Sequence, residues 1–223
     1  MPTKIQKNQI ATTLIDGWTP ADATWTYASA STITVPSGAA SIYQKGDRIK
    51  WTQTTVKYGV IVAVADTLLT IAVNTDYTVA NAAISANYYS HQANPLGYPG
   101  SFACSPTMTN ITLGSGTRVS RYYIIGDRLF MDFKFTYGSG SAVGTNPTIA
   151  APVAALAGNF IEVGVASTWD NSATTRHIGG CMVLTTEIYP FHYTSTGYGY
   201  YGANIPFTWA TDDFFNFHIS YRI

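Results

Sequence analysis

A run of alternating side chains near the middle of the sequence constrains the fold more than any other feature. Apolar residues occupy every second position of this run: Leu129, Met131, Phe133, Phe135 and Tyr137. Successive side chains of a β-strand point to opposite faces, so the spacing predicts a strand with one buried face and one hydrated face. Phe130 is the exception, because it lies among the polar positions.

The stretch 115–137 contains a second strand and a turn. The pair Gly126-Asp127 separates two apolar runs and can supply the positive φ of a two-residue hairpin turn. Residues 215–223 repeat the alternation at the C-terminus. We expect these strands to form the two walls of a β-sandwich. The tripeptide Gly46-Asp47-Arg48 repeats the Gly-Asp-Arg sequence of the hairpin, and we interpret it as the same hairpin chemistry.

Charge and composition narrow the class of protein. Only 11% of the residues are charged, Lys and Arg balance Asp and Glu at 12 each, and 14% are aromatic. Nucleic-acid binding draws on a surplus of basic side chains, so no nucleic-acid partner is expected. Chains rich in Thr and Tyr with frequent turn residues are typical of all-β folds. The balanced charge gives little repulsion between copies, which is compatible with an assembly.

The chain divides into a terminal segment and two β modules. Residues 1–13 are polar and aperiodic, and are either a frayed terminus or an anchor that orders against a partner. Residues 14–94 hold about six short strand patterns, which predict a small β-barrel-like module of the SH3 or OB kind. A cluster of Pro and Gly at 91–101 marks the boundary. Residues 95–223 carry about eight strand patterns, the number found in a jelly-roll β-sandwich.

Local patterns add three expectations. Residues 78–84 are expected to make one helical turn. The Gly-rich residues 197–202 are expected to form a flexible loop, followed by a strand at 204–211. Residues 197–202 also match the GxGxxG pattern of dinucleotide sites, but that function requires a helix to follow, and the next residues favour a strand. We therefore expect no nucleotide cofactor.

The cysteines and the hydropathy of the sequence indicate the cellular compartment in which the protein folds. Cys104 and Cys181 are the only cysteines, and no disulfide-dense pattern surrounds them. Packed thiols are favoured, and a disulfide between the two stays open. The N-terminus lacks the apolar stretch of a signal peptide, and no run approaches the length of a membrane span. We expect a protein that folds in a cytoplasm and has no membrane partner.

Several stretches resemble a family of viral proteins. GWTPADATWTYASASTITVPSG (17–38), KGDRIKWTQTTVKYGVI (45–61) and NPLGYPGSF (94–102) resemble the front module of bacteriophage tail-fibre or head-fibre virion proteins. GTRVSRYYIIGDRLFMDFKFTYGSG (116–140) resembles the strands that open a β-sandwich at fibre tips. PFTWATDDFFNFHISYRI (206–223) resembles the closing motif of that sandwich, with Asp212 where glycine is usual.

The resemblance implies a function as well as a fold. It implies a homotrimeric virion component, a fibre, receptor-binding or decoration protein, that is folded in the host cytoplasm and mediates attachment to the bacterial surface. The N-terminal part would contact other virion proteins of the capsid or tail. The C-terminal sandwich would lie outermost, where a host-surface glycan is its expected ligand.

The sequence contains few patterns typical of catalytic sites. The sequence has no Walker loop, HExxH zinc motif, nucleophile elbow or EF-hand loop. Glycosidases need two facing carboxyl groups. The candidates are Glu162, Glu187, Asp170, Asp212 and Asp213, and no spacing pairs them. The four histidines, at positions 91, 177, 192 and 218, share no metal-ligand spacing. We expect no enzyme, no metal and no cofactor.

Recognition is the remaining chemistry. Trp169, Asp170 and Asn171 lie on an expected loop, and the tyrosines of the Gly-rich loop are Tyr198, Tyr200 and Tyr201. Aromatic faces can stack on sugar rings while Asp and Asn bind hydroxyls, so these six residues are the predicted glycan-binding set. Rings with polar tips also suit protein interfaces, so packing between trimer subunits is an equal alternative for the tyrosines. The other tryptophans, at 18, 25, 51 and 209, are assigned to cores.

Two alternative functions stay open at this point. A tailspike-like enzyme that degrades surface glycan would need a carboxylate pair in a cleft. A purely structural capsid decoration protein would have inert or buried loops between residues 166 and 204.

Overall fold

The computed structural model describes residues 16–21, 23–156 and 162–223, and for residues 162 and 163 it describes the backbone alone. Strands make up 55% of the chain and helices 4%, so the predicted all-β class is confirmed. The strands form two sheets, one of them curled into a half-barrel. Contacts divide the chain into two units, Met1–Phe102 and Ala103–Ile223, and the Pro and Gly cluster predicts a division at residue 95. The predicted terminal segment 1–13 lies outside the described residues.

The first unit is one sheet of short antiparallel strands. They are β1 (Thr19–Pro20), β2 (Thr26–Ser29), β3 (Thr32–Thr34), β4 (Arg48–Gln53), β5 (Thr55–Ala65), β6 (Leu68–Val73) and β7 (Ser85–Ser90). Their order in the sheet is β1-β7-β4-β5-β6-β3-β2. Short 3₁₀ turns occupy Ala39–Ser41 and Thr75–Tyr77, so the helical turn predicted at 78–84 is wrong: it forms just before that segment.

Tryptophans and β-branched residues fill the core of this unit. Trp25, Trp51, Ile33, Ile49 and Leu69 are each at most 1% exposed. Ile49 and Trp51 alternate with the half-buried Lys50 and Thr52 along β4, as the pleat of a strand requires. Burial of side chains this large stabilises a fold by about 1.5–3 kcal/mol each. The prediction that Trp18, Trp25 and Trp51 are core residues is confirmed, since all three are at most 1% exposed.

A two-residue strand, β8 (Phe102–Ala103), lies at the boundary, and nine strands follow it. They are β9 (Met108–Thr112), β10 (Thr117–Ile125), β11 (Arg128–Thr136), β12 (Ala142–Ala150), β13 (Glu162–Asp170), β14 (Thr175–Leu184), β15 (Glu187–Thr194), β16 (Gly197–Tyr200) and β17 (Phe214–Arg222). The order of these strands in the second sheet is β10-β11-β17-β13-β14-β15-β12-β9, and β16 pairs with the later part of β15, residues 191–194.

The central hairpin forms as its sequence predicts. Strands β10 and β11 pair without a shift, and Ile125 opposite Arg128 closes a two-residue turn. Gly126 has φ 58°, the left-handed conformation that a two-residue turn demands. Alternate residues of β11 from Leu129 to Phe135 are at most 2% exposed. Phe130 points to the opposite face, as its place among polar residues indicates.

One prediction about these strands is wrong. Strand β17 pairs directly with β11, with Phe217 opposite Phe133. The two alternating runs are therefore neighbours in one sheet and do not form the two facing walls of a sandwich. The rings of Phe133 and Phe217 stack at 4.9 Å and 8°. Two strands with the same alternation can bury their apolar faces side by side as well as face to face. Local sequence does not decide between these arrangements.

The region 197–211 reverses two predictions. The Gly-rich segment forms strand β16, while the segment 204–211 has no strand beyond an isolated bridge between Gly202 and Ile205. Pro206 has no N–H to donate to a ladder. Tyr198 and Tyr200 instead pair with β15, where aromatic side chains suit a pleated surface.

The closing motif of the chain is built around a buried carboxylate. Asp213 is fully buried, and its side chain accepts hydrogen bonds from the backbone N–H of Ala210 at 2.5 Å and Asn171 at 2.8 Å. Asp212, the residue before it, has φ 70°. Aspartate visits this left-handed region more readily than most residues. Trp209 is 6% exposed and donates to the Gly202 carbonyl oxygen at 2.9 Å, which confirms its core assignment.

Both cysteines of the second unit are thiols. The Sγ of Cys104 lies 3.0 Å from the Ser120 hydroxyl, and Cys181 is fully buried. Burial raises the pKa of the Cys104 thiol above its ordinary value. The packed-thiol alternative is therefore the one the structure supports.

Candidate functional site

The second sheet has a surface of alternating outward side chains, which we call the outer face. Directly opposed residues of antiparallel strands point to the same side of a sheet. The register therefore places one row of residues on the same side of seven strands, from β10 to β16: Arg121, Asp132, His218, Val165, Gly180, Phe191 and Tyr200. Gly180 and Phe191 of this row are buried by their neighbours. The register thus determines which of the predicted site residues lie on this face of the sheet.

Trp169 lies on the outer face near the end of β13 and not on a loop. Its ring is half-buried, and its Nε1 is 3.5 Å from the side-chain oxygen of exposed Asn171. Arg176, the register partner of Trp169 on β14, has its guanidinium carbon 6.0 Å from the ring centroid. The tryptophan thus presents an aromatic surface bordered by an amide and a cation.

Asp170 shapes the loop beside this tryptophan. One carboxylate oxygen accepts hydrogen bonds from the Ser172 hydroxyl at 2.7 Å and from the Ala173 N–H at 2.9 Å. The Ser172 hydrogen bond is the main cause that lowers the pKa of Asp170 below its ordinary value. The residue is only 9% exposed. It therefore orders the loop that carries Asn171, and its predicted direct contact with a ligand stays a prediction.

Tyrosines form the second predicted cluster, on strands β15 and β16. Tyr198 and Tyr193 are opposed in register and are 55% and 50% exposed. Tyr198 and Tyr200 meet edge to face, with centroids 5.8 Å apart and planes at 80°. Tyr189 supports Tyr200 from the side at 6.1 Å. These rings form a rigid aromatic ledge at the edge of the outer face.

Tyr201 does not belong to this ledge. It is 1% exposed and packs against Phe215 at 5.6 Å, Trp209 at 6.2 Å and His192 at 6.3 Å. Burial raises the pKa of its hydroxyl well above the ordinary value. Its inclusion in the predicted glycan-binding set is corrected here, because a side chain inside the core cannot meet a ligand at the surface.

Five of the six predicted residues thus remain at or near the surface, in two groups. Trp169, Asp170 and Asn171 lie at the end of β13, and Tyr198 and Tyr200 lie on β16. Strands β14 and β15 separate the groups, which corresponds to about 14 Å across the sheet at the usual strand spacing. Trp169 and the two tyrosines share the outer face, so one extended ligand could meet both groups.

Three of the carboxylates considered for a hydrolase, Asp170, Glu187 and Asp213, have structural partners. Glu187 accepts from the Tyr189 hydroxyl at 2.7 Å with one oxygen and from the Thr148 hydroxyl at 3.3 Å with the other. The hydrogen bond to Glu187 is the main cause that raises the pKa of Tyr189 to about 12. Asp213 is buried in the closing motif. The side chain of Glu162 lies outside the described residues.

The outer face also holds residues that the sequence analysis did not select. Tyr123 and Phe130, opposed on β10 and β11, stack with centroids 4.8 Å apart and planes at 5°. The Asp132 carboxylate and the His218 imidazole are in direct contact on the next row, and both side chains are more than half exposed. The one signal in the sequence was Phe130, an aromatic residue among polar positions.

Comparisons with protein-family models, with curated proteins and with solved structures gave no match. Within the part of the chain that the structure describes, no three His, Cys, Asp or Glu side chains gather in a way that could hold a metal ion. None of the helical segments among the described residues has the length and hydropathy needed to cross a membrane.

Proposed function

We propose that this chain is a bacteriophage virion protein, a homotrimeric fibre, receptor-binding or decoration component that attaches to glycan on the bacterial surface. In this proposal the second unit is a jelly-roll-like tip and the first unit joins other virion proteins. The resemblance of the fibre-type motifs supports the virion assignment. The balanced charge of the chain, with 12 basic and 12 acidic residues, is compatible with association of copies.

The observation that carries the glycan assignment is the exposure of aromatic rings on a rigid β-surface. Tyr198 is 55% exposed although neighbouring rings hold it in place on both sides, with Phe191 at 5.0 Å and Tyr200 at 5.8 Å. A ring fixed in this way loses little conformational freedom when a ligand stacks on it. The apolar C–H surface of a sugar ring is a fitting partner for such a side chain.

Polar groups beside the rings supply hydrogen bonds. Asn171 is exposed next to Trp169, and its amide can both donate to and accept from sugar hydroxyls. Asp170 holds the loop in shape through its bonds to Ser172 and Ala173. In the proposed mechanism the ledge and the tryptophan position the sugar rings, and Asn171 selects the orientation of their hydroxyls.

The test is binding of the intact protein to an array of purified bacterial surface polysaccharides. We expect Tyr198→Ala to weaken the binding of the recognised glycan by about tenfold, as the loss of one aromatic contact implies. Trp169→Ala should have a similar effect. Tyr88→Ala is the matched control, because Tyr88 is a half-buried strand tyrosine of the first unit, and it should leave binding unchanged.

Two further measurements separate the alternatives. Light scattering should give three times the chain mass of 24.1 kDa, and a monomer would contradict the trimer. Release of reducing ends from a bound polysaccharide would favour the tailspike-like enzyme. A trimer that binds none of the polysaccharides would favour the purely structural decoration protein and overturn attachment.

A further inference from the structure

The outer face contains a trough that is separate from the two predicted clusters. A cavity of about 480 Å³ lies over β11, β17 and β13. Its apolar side is formed by Tyr123, Phe130 and Val165, and its polar side by His218 and Ser220. A neighbouring cavity of about 300 Å³ lies over β10, β11 and β17. Both cavities are lined by Asp132 and His218, so they form one continuous trough around that contact.

A glycine and a strand irregularity shape the apolar end. The pairing of β13 with β14 shifts register between Glu162 and Gly164. At Gly164 an added Cβ would collide with the His218 backbone, so only glycine lets β13 approach β17 this closely. Bulges are over-represented next to functional sites, where they change the direction of side chains. The next residue, Val165, is 62% exposed and borders the trough.

Aromatic and aliphatic surface is displayed at this end. Tyr123 is 39% exposed and stacks on Phe130, so the two rings form one apolar side of the trough. Apolar surface of this kind in a concave site is the usual platform for the ring of a small organic ligand. Ser220 adds a hydroxyl on the same row, held at 2.9 Å by Arg128.

The other end of the trough is cationic. Arg121 and Lys134 line the second cavity together with Asp132 and Asn216. Two positive side chains against one carboxylate leave one net positive charge, before any contribution from His218. Lys134 has its ammonium 4.1 Å from the Phe214 ring centroid, which positions it at the surface. Charge complementarity therefore favours an anionic ligand at this end.

We propose that this trough binds a saccharide segment that carries carboxylate groups, with a sugar ring against Tyr123 and Phe130 and a carboxylate at Arg121 and Lys134. The row of Tyr123 and the row of Val119 are about 14 Å apart along the strands, which suits a short oligosaccharide and not a single sugar. This proposal rests on the proposed glycan-binding function and names an acidic glycan as the ligand. The trough residues that would bind it are not the ones named under that function.

The experiment uses hexagalacturonate and its fully methyl-esterified form as probes for the intact protein, with calorimetry as the measurement. The two probes have the same rings, and only one is charged. We expect binding of the acid form, and about a hundredfold weaker binding of the ester, because the ester loses the charge-assisted hydrogen bonds to both Arg121 and Lys134. Arg121→Gln and Lys134→Gln should each weaken binding of the acid form by about tenfold and leave the ester unaffected.

The variants also distinguish the two proposals. Tyr123→Ala should weaken both probes, whereas the control Tyr88→Ala in the first unit should weaken neither. Loss of binding in Tyr198→Ala with no effect of Arg121→Gln would overturn the trough and keep the proposed function. Equal affinity for the acid and the ester, or no binding of either at millimolar concentration, would also overturn the acidic-glycan proposal. Retained hydrogen-exchange protection of β10 and β11 in each variant shows that the fold is intact.

Discussion

The tripeptide Gly-Asp-Arg occurs once in each unit, and its two copies differ in almost every physical respect. Asp47 and Arg48 are 1% and 4% exposed. Asp127, in the second copy, is 48% exposed. The second copy forms the hairpin turn between β10 and β11. The first follows a loop and leads into β4, so the expectation of a shared hairpin is wrong for that copy.

The first copy is part of a buried polar network. The Asp47 carboxylate accepts from the Gln44 N–H at 2.9 Å and bonds His91 at 2.8 Å. Arg48 donates to the carbonyl oxygens of Ala93 and Gly46, both at 2.9 Å. These two charged side chains connect two segments that are distant in sequence, residues 44–46 before β4 and residues 91–93 after β7. A buried polar group is tolerated when it is hydrogen-bonded, which is the case here.

The second copy has its contacts at the surface. Asp127 accepts from Arg222 at 2.7 Å, and both side chains are about half exposed. Ion pairs between exposed side chains stabilise a fold by about 0–1 kcal/mol. The same three residues can therefore form a buried hydrogen-bonded network in one place and an exposed turn in another. Whether their side chains are buried determines how much they contribute to stability.

The largest predicted effect is on the buried aspartate. Replacing Asp47 with Ala leaves the Gln44 N–H without its acceptor, and we expect the first unit to lose about 2–3 kcal/mol of stability. Hydrogen exchange measured by mass spectrometry reports each unit separately, which matters because a two-unit chain need not unfold in one step. Asp47→Asn keeps a side-chain oxygen that can accept this bond and should cost less. Unchanged protection of β4 and β5 in Asp47→Ala would contradict the structural role of the network.

Replacing the glycine of each copy with asparagine should change stability by a smaller amount than Asp47→Ala does. Gly126 has φ 58°, inside the left-handed region that asparagine also adopts, while Gly46 has φ 96°, beyond it. We expect Gly126→Asn to change the stability of the second unit by at most about 0.5 kcal/mol, and Gly46→Asn to cost the first unit about 1–2 kcal/mol. Equal costs, measured by the same exchange experiment, would show that the two turns are equivalent after all.

Local sequence predicted the parts of the fold that depend on one strand at a time. The alternation from Leu129 to Phe135 determines which residues are buried whichever strand lies beside them, and Gly126 determines the turn. Pairing of β11 with β17 depends on residues 78 to 94 positions apart, and the same alternation is compatible with pairing in one sheet or with packing of two sheets. Burial of Asp47 likewise depends on Gln44 and His91 meeting it, which no short window shows.

The candidate site was predictable to a similar degree. The sequence predicted that the tyrosines of residues 197–202 belong to the site. It did not predict which of them point to the surface, because this Gly-rich segment was expected to be a loop. In a strand, Tyr200 and Tyr201 must point to opposite sides, so only one of them could be at the surface. The trough around Asp132 and His218 was invisible to the sequence, because it requires four strands in register.

The smallest predicted effect is on the exposed aspartate, and it tests the comparison most directly. Asp127→Ala removes a carboxylate of the same type as Asp47→Ala, next to the same glycine and the same arginine. Because Arg222 can return to solvent, we expect the second unit to lose less than about 0.5 kcal/mol, and even this difference should fade as added salt screens the ion pair. The backbone bond from the Ile223 N–H to the Asp127 carbonyl oxygen, 2.9 Å, survives the substitution and holds the turn against β17. Hydrogen exchange of β10, β11 and β17 at low and at high salt measures both effects. A loss as large as that of Asp47→Ala, insensitive to salt, would mean that the tripeptide itself carries the stability and that burial does not explain the difference.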